Sequence, residues 1–202
     1  MIYLYGDSHI KAGFQNMKLK HIDLHYPSIT MFRIGRDNII INFDKNMVLN
    51  ENDVIVLSYG EVDCRCHIQN QINNGKHEDN IINELIDKYF LTIKNNILTK
   101  CKIIIVGVIP TTKKNDYESL NGPILHEFPF VGKDEDRVRY TDKVNKKLEE
   151  LALIHNYIYF NPYNYYTRQD GTLKYELSDT SVHLGNNLWF LKQFIELITS
   201  IY

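Results

Sequence analysis

Val54-Ile55-Val56-Leu57-Ser58, running directly into Tyr59-Gly60-Glu61-Val62-Asp63, is the stretch that decides the fold. Its first five residues are nearly all apolar and show no polar alternation, as in a strand covered on both faces, and such strands belong to parallel sheets flanked by helices. A second run of the same kind occupies 103–108. Between the two, residues 79–99 carry Ile82, Ile86, Tyr89, Ile93 and Ile97 at spacings of three or four, the stripe of a crossover helix. Outward from this unit the alternation continues. Strands are expected at 2–5, more weakly at 22–25, and at 157–160. A helix is expected at 135–156, with Val138, Val144, Leu148, Leu151 and Ala152 on its apolar face and Asp134 as its cap. Leu188, Leu191, Phe194, Ile195 and Ile198 mark a closing helix. The expected fold class is therefore α/β, a three-layer α/β/α sandwich around a flavodoxin-like five-stranded parallel sheet. Residues 110–133, with Gly122, Pro123, Pro129 and Gly132, read as a long irregular lid or binding loop.

The chain has 202 residues, enough for one sizeable core, and no composition step or linker divides it, so a single domain over 1–202 is expected. With 23 basic and 25 acidic side chains the net charge is −2, and no Lys/Arg run is long enough to track phosphates, so nucleic acid is an unsuited partner. The longest apolar run is far short of the roughly 20 residues that cross a bilayer, so no membrane association is expected. Three cysteines, Cys64, Cys66 and Cys101, make no disulfide framework, and the N-terminus has no signal-like apolar region; a reducing, cytoplasmic setting is expected. Cys64, Cys66 and His67 lack a fourth ligand and the usual paired spacing for zinc, so no metal is expected.

In a parallel sheet, ligands bind beyond the carboxyl ends of the strands. Gly6-Asp7-Ser8-His9 follows the first strand, Gly60-Glu61-Val62-Asp63-Cys64-Arg65-Cys66-His67 the third, and Ser178-Asp179-Thr180-Ser181-Val182-His183 stands near the C-terminus. A serine becomes a nucleophile when a histidine takes its proton and a carboxylate holds that histidine, and Ser8, His183 and Asp179 are the right types for it.

These blocks, in this order, resemble the SGNH/GDSL hydrolase superfamily over nearly the whole chain. The resemblance implies Ser8 as nucleophile, His183 as base and Asp179 as its orienting acid. It further implies an oxyanion hole from the backbone N–H groups of Ser8 and of Gly35, within Ile34-Gly35-Arg36-Asp37. Gly60-Glu61-Val62-Asp63 stands where the family has Gly-x-Asn-Asp, so Val62 replaces a side-chain donor whose loss costs on the order of 3 kcal/mol, about a hundredfold or more in rate. Arg65 is a candidate substitute donor, or else a partner of Glu61 or Asp63 in a structural ion pair. The last block is one residue longer than the family's Asp-x-x-His.

Further candidates around the site have two readings each. Asp7 belongs to the first block. His9 contacts substrate or caps the following helix. Glu61 and Asp63 bind sugar hydroxyls or neighbouring backbone N–H groups. Arg137 and Arg139 hold an acidic group or lie on the surface, and Tyr163, Tyr165 and Tyr166 stack on a sugar or pack under the loop. The run 60–67 resembles a branch found in carbohydrate contexts. The implied activity is that of a serine esterase removing acetyl from a sugar ester, without cofactor. Its alternatives are an acyltransferase with acetyl-CoA as co-substrate and a glycan-binding module without catalysis.

Overall fold

The computed structural model describes residues 1–98, 100–125 and 127–202. Among them five strands form one parallel sheet: β1 (Ile2–Gly6), β2 (His21–Asp23), β3 (Val54–Ser58), β4 (Lys102–Val106) and β5 (Ile158–Phe160). Their spatial order is β2-β1-β3-β4-β5. The register sets Ile2 opposite Val54 and Gly6 opposite Ser58, while Val54 also faces Lys102. The chain thus moves one way from β1 and the other way from β3, which makes the crevice at their carboxyl ends the topological switch point.

Helices cover both faces, giving the α/β sandwich. Tyr5, Ile55, Leu57, Ile103 and Ile105 point to one layer, made by α2 (Met31–Asp37), α4 (Glu78–Asn96) and α6 (Asp134–Ile154). Ile2, Leu4, Val54, Val56, Ile104 and Val106 point to the other, made by α1 (Ser8–Phe14) and α7 (Leu188–Ser200). Strand period two places alternate residues of β3 in opposite cores, so every residue of that strand is buried. All five apolar residues of the expected crossover stripe, Ile82, Ile86, Tyr89, Ile93 and Ile97, are buried. The expected end of that helix, Thr99, lies outside the described residues.

Several expectations are corrected. The stretch 110–133 is not wholly irregular, because Lys114–Asn121 forms a two-turn helix, α5. The segment after β3 is helical, with Asp63–His67 making a π-helical turn that continues into α3 (Ile68–Asn73). Asp134 does not cap α6. Lys133 occupies the cap, its N–H donating to Asp136, while the Asp134 carboxylate accepts from Lys114 N–H at 3.1 Å. In α7, Leu188 and Ile195 are exposed, and Phe190 takes the place on the buried stripe with Leu191, Phe194 and Ile198. Of the helix at 135–156, Val144, Leu148 and Ala152 are buried, whereas Val138 and Leu151 are half-buried at its margin.

Among the described residues, no helix is long and apolar enough to cross a membrane.

Candidate active site

The nucleophile candidate is placed by a glycine and an aspartate. A Cβ on Gly6 would lie 2.5 Å from Ser58 O, so only glycine lets the end of β1 press this closely on β3. Asp7 then caps α1, its carboxylate accepting from His9 N–H at 2.9 Å, which sets Ser8 as the first helical residue with its N–H free of an intrahelical acceptor. At the other end of α1, Asn187 Nδ2 donates to the carbonyls of Ala12, Gly13 and Gln15 at 3.2, 3.0 and 2.7 Å. α1 is thereby tied to the chain just after His183.

The residues expected to form the triad come together. With the proton on Nδ1, His183 accepts from Ser8 Oγ at Nε2, 2.8 Å away, and donates from Nδ1 to Asp179 Oδ2 at 3.1 Å. Between Asp179 and His183, Thr180 adopts φ +66°, which turns the loop back on itself. Asp179 N–H donates to His183 O at 3.1 Å, and Asp179 Oδ1 accepts from Ser181 N–H at 3.0 Å, so the loop fixes its own carboxylate. Burial, then the neighbouring His9, pushes the His183 pKa below its ordinary value against the opposing pull of Asp179.

Around the triad the structure distinguishes the paired readings. Gly35 is corrected: it is the fifth residue of α2, with its N–H inside the helix ladder, and a Cβ there would lie 2.9 Å from Lys88 Cβ. It lets α2 approach α4 closely and is not a donor beside Ser8. Arg65 is also corrected as an oxyanion donor. It lies buried four residues after Glu61 on the helical turn, with Nε donating to Glu61 Oε1 at 2.8 Å and Nη2 to Oε2 at 3.1 Å, while Nη1 donates to Phe128 O. Glu61 is spent on this pair and on His9 Nε2 at 3.3 Å. Its carboxyl is held far below the usual range, Arg65 and His9 overcoming the burial.

Asp63 binds backbone, not sugar: its oxygens accept from Met31 N–H at 2.8 Å and Phe32 N–H at 3.3 Å, anchoring α2. Burial pushes its pKa up to about 7, and that of Asp7 up to about 6. Gly60 adopts φ +118°, and its missing side chain admits Val108 and Met31 at contact distance. Val62 is buried.

Of the remaining candidates, Arg137 is buried, donating to Gly132 O at 2.8 Å and paired with Asp134, while Arg139 pairs with Glu78 and Asp136. Tyr163 and Tyr166 are buried, and Tyr165 stacks on Trp189, so the tyrosine cluster packs. Cys64 and Cys66 are buried free thiols. Among the described residues no group of His, Cys, Asp and Glu is arranged to hold a metal.

Beside Ser8 opens a cleft of about 420 Å³ whose polar lining, Lys11, Gln15, Asn16, His21 and Asp23, was not among the expected site residues. A signal existed in part: Lys11 and Gln15 lie three and seven positions after Ser8, one face of a helix.

Comparison of the coordinates with solved structures identifies the architecture. A Bacteroides thetaiotaomicron GDSL-like lipase superposes with a TM-score of 0.62 at 13% identity, over 100% of this chain and 88% of its own. The chain has the SGNH/GDSL hydrolase fold. A Streptococcus pneumoniae protein provisionally named a platelet activating factor matches with a TM-score of 0.68 at 15% identity, over 98% of this chain and 83% of its own. The OSK domain of Drosophila Oskar also superposes, with a TM-score of 0.54 at 11% identity, over 96% of this chain and 86% of its own. No protein-family model and no curated protein matches the sequence. At these identities the likeness fixes the fold, and function has to be argued from the site.

Proposed function

We propose that this chain is a serine esterase that removes a short acyl group, acetyl in the first instance, from a hydroxyl of a carbohydrate. The observation that carries the reading is the continuous hydrogen-bonded line from Ser8 Oγ through His183 to Asp179. Ser8 attacks the ester carbonyl as His183 Nε2 takes its proton, and Asp179 holds the resulting imidazolium. Collapse of the tetrahedral intermediate breaks the ester bond, and His183 returns the proton to the departing sugar alkoxide. Water then attacks the acyl-Ser8, giving its proton to His183, and the acid leaves as Ser8 is reprotonated. The Ser8 N–H at the start of α1 faces the developing oxyanion in this scheme.

Lys11, Gln15, Asn16, His21 and Asp23 beside Ser8 offer hydrogen-bonding groups that a hydroxyl-rich leaving group can meet. The side chain of Asp179 is 41% exposed and that of His183 23%, which admits water to the acyl-enzyme and favours hydrolysis over transfer from acetyl-CoA. A module that only bound glycan would have no use for the aligned triad. The GDSL-like neighbours are consistent with the esterase reading.

The test is acetate release from p-nitrophenyl acetate and from acetylated oligosaccharides by the wild type and Ser8→Ala. Equal turnover by the two proteins overturns the assignment. Release of acetyl only when a sugar acceptor is supplied with acetyl-CoA would replace the esterase by the transferase.

A further inference from the structure

Directly behind the triad lies a second, buried line of ionisable groups that the hydrolysis scheme does not use. The His9 ring packs on the His183 ring, centroids 4.6 Å apart and planes at 48°. Its Nε2 meets Glu61 Oε2 at 3.3 Å, and Glu61 is clamped in turn by the two nitrogens of Arg65. His9 is 9% exposed, and its position beside Ser8 on α1 is fixed by the Asp7 cap.

We propose that His9 is a positioning residue for the catalytic base: held as a cation by Glu61, it keeps the adjoining His183 ring unprotonated and available to Ser8 in mildly acidic solution. The inference rests on His183 being that base. Other charged groups near His183 are Asp179 on its own loop, Glu61 after β3, and Lys11 of α1 with His21 and Asp23 of β2, which line the same cleft. His9 is the one stacked on the ring. The order of protonation agrees. Burial opposes a charge on His9, but Asp7 and Glu61 outweigh it and raise its pKa, whereas that of His183 is lowered by burial and by His9. As pH falls, His9 takes its proton first and stands as a fixed cation while His183 titrates.

The experiment follows the two imidazole resonances by NMR across pH 4.5 to about 8.5 in Ser8→Ala, with and without His9→Gln, and in parallel the acid limb of kcat/KM in the Ser8 protein. A unit charge at 4.6 Å, screened as water or as a protein surface would screen it, predicts that His9→Gln raises the His183 midpoint by roughly 0.7 to 2.5 units. The acid limb should move upward by the same amount. An unchanged or lowered His183 midpoint overturns the inference. Should His9→Gln not fold, the parent Ser8→Ala protein still decides: His9 titrating below His183 overturns the inference, and His9 titrating above it supports it. Because the resonances report without turnover, a protein that shows the shift but no esterase activity would overturn the esterase and leave the electrostatic coupling intact.

Discussion

Arg65→Met separates two roles for the arginine, and the structure sets the size of the effect. The Arg65 side chain is 9% exposed and that of Glu61 5%, joined at 2.8 and 3.1 Å, and the remaining Arg65 nitrogen holds Phe128 O at the base of the long loop. Removing the guanidinium leaves the Glu61 carboxylate buried with His9 as its remaining charged partner. Breaking one side of a buried pair costs about 3–5 kcal/mol. At about 2–4 °C per kcal/mol for a chain of this size, the melting temperature should fall by about 6–20 °C. Adding Glu61→Gln removes the stranded charge while keeping an acceptor for His9, and should recover most of the loss. Thermal melts of the single and double variants, read with kcat at a temperature where each is folded, complete the comparison. The strut role predicts a large loss of stability with kcat reduced less than about tenfold, whereas an oxyanion donor would cost about a hundredfold or more in kcat. An unchanged melting temperature with a hundredfold loss of kcat, or a double variant no more stable than the single, refutes the reasoning.

Asp179→Asn should lower kcat by about 10²–10⁴ while leaving the melting temperature within a few degrees, since the half-exposed carboxylate orients His183 and supports little else. The acid limb of kcat/KM in the wild type should lie below pH 6.5, because the neutral imidazole is the active form and burial with His9 lowers its pKa; a limb above that value in a pH series would contradict the geometry. Asp7, raised from 3.8 to about 6 by burial, binds its proton more tightly folded than unfolded, so its contribution to stability is complete below about pH 4 and lost as pH rises through about 6. The shift corresponds to about 3 kcal/mol, and urea titrations at several pH values should show Asp7→Asn flattening that fall.

Much of this was legible along the chain because it is local. The all-apolar β3 needs no partner to be recognised, and Ile82 through Ile97 declare their helix by period alone. What escaped depends on neighbours distant in sequence. Short helices such as α2 and α3 have too few turns to show a stripe, and they are held by outside groups: Asp63 anchors the N–H groups of Met31 and Phe32 from 31 to 32 residues away. Gly35 looked like a loop donor because a glycine carries no sign of why it is small; here Lys88 is the reason. Ser8, His183 and Asp179 were readable as candidates by type and order, but their approach rests on Asn187 tying α7 to α1 across more than 170 residues.

Val62 and Arg65 belong to one local structure. The helical turn that follows Gly60 brings Arg65 back over Glu61, four residues earlier, and the same segment buries Val62, which has no side-chain donor. The Arg65 charge is thus committed to Glu61, which stands behind His9. Of the expected donors, the Ser8 N–H remains beside the nucleophile, so the tetrahedral intermediate must gain more of its stability from the leaving group. Esters of acidic alcohols should then react far faster than those of ordinary sugar hydroxyls, with amides inert. The slope of log kcat/KM, which reports formation of the acyl-enzyme, against leaving-group pKa across a series of aryl and alkyl acetates measures this, and a flat series would mean that a full oxyanion hole is supplied by donors other than these.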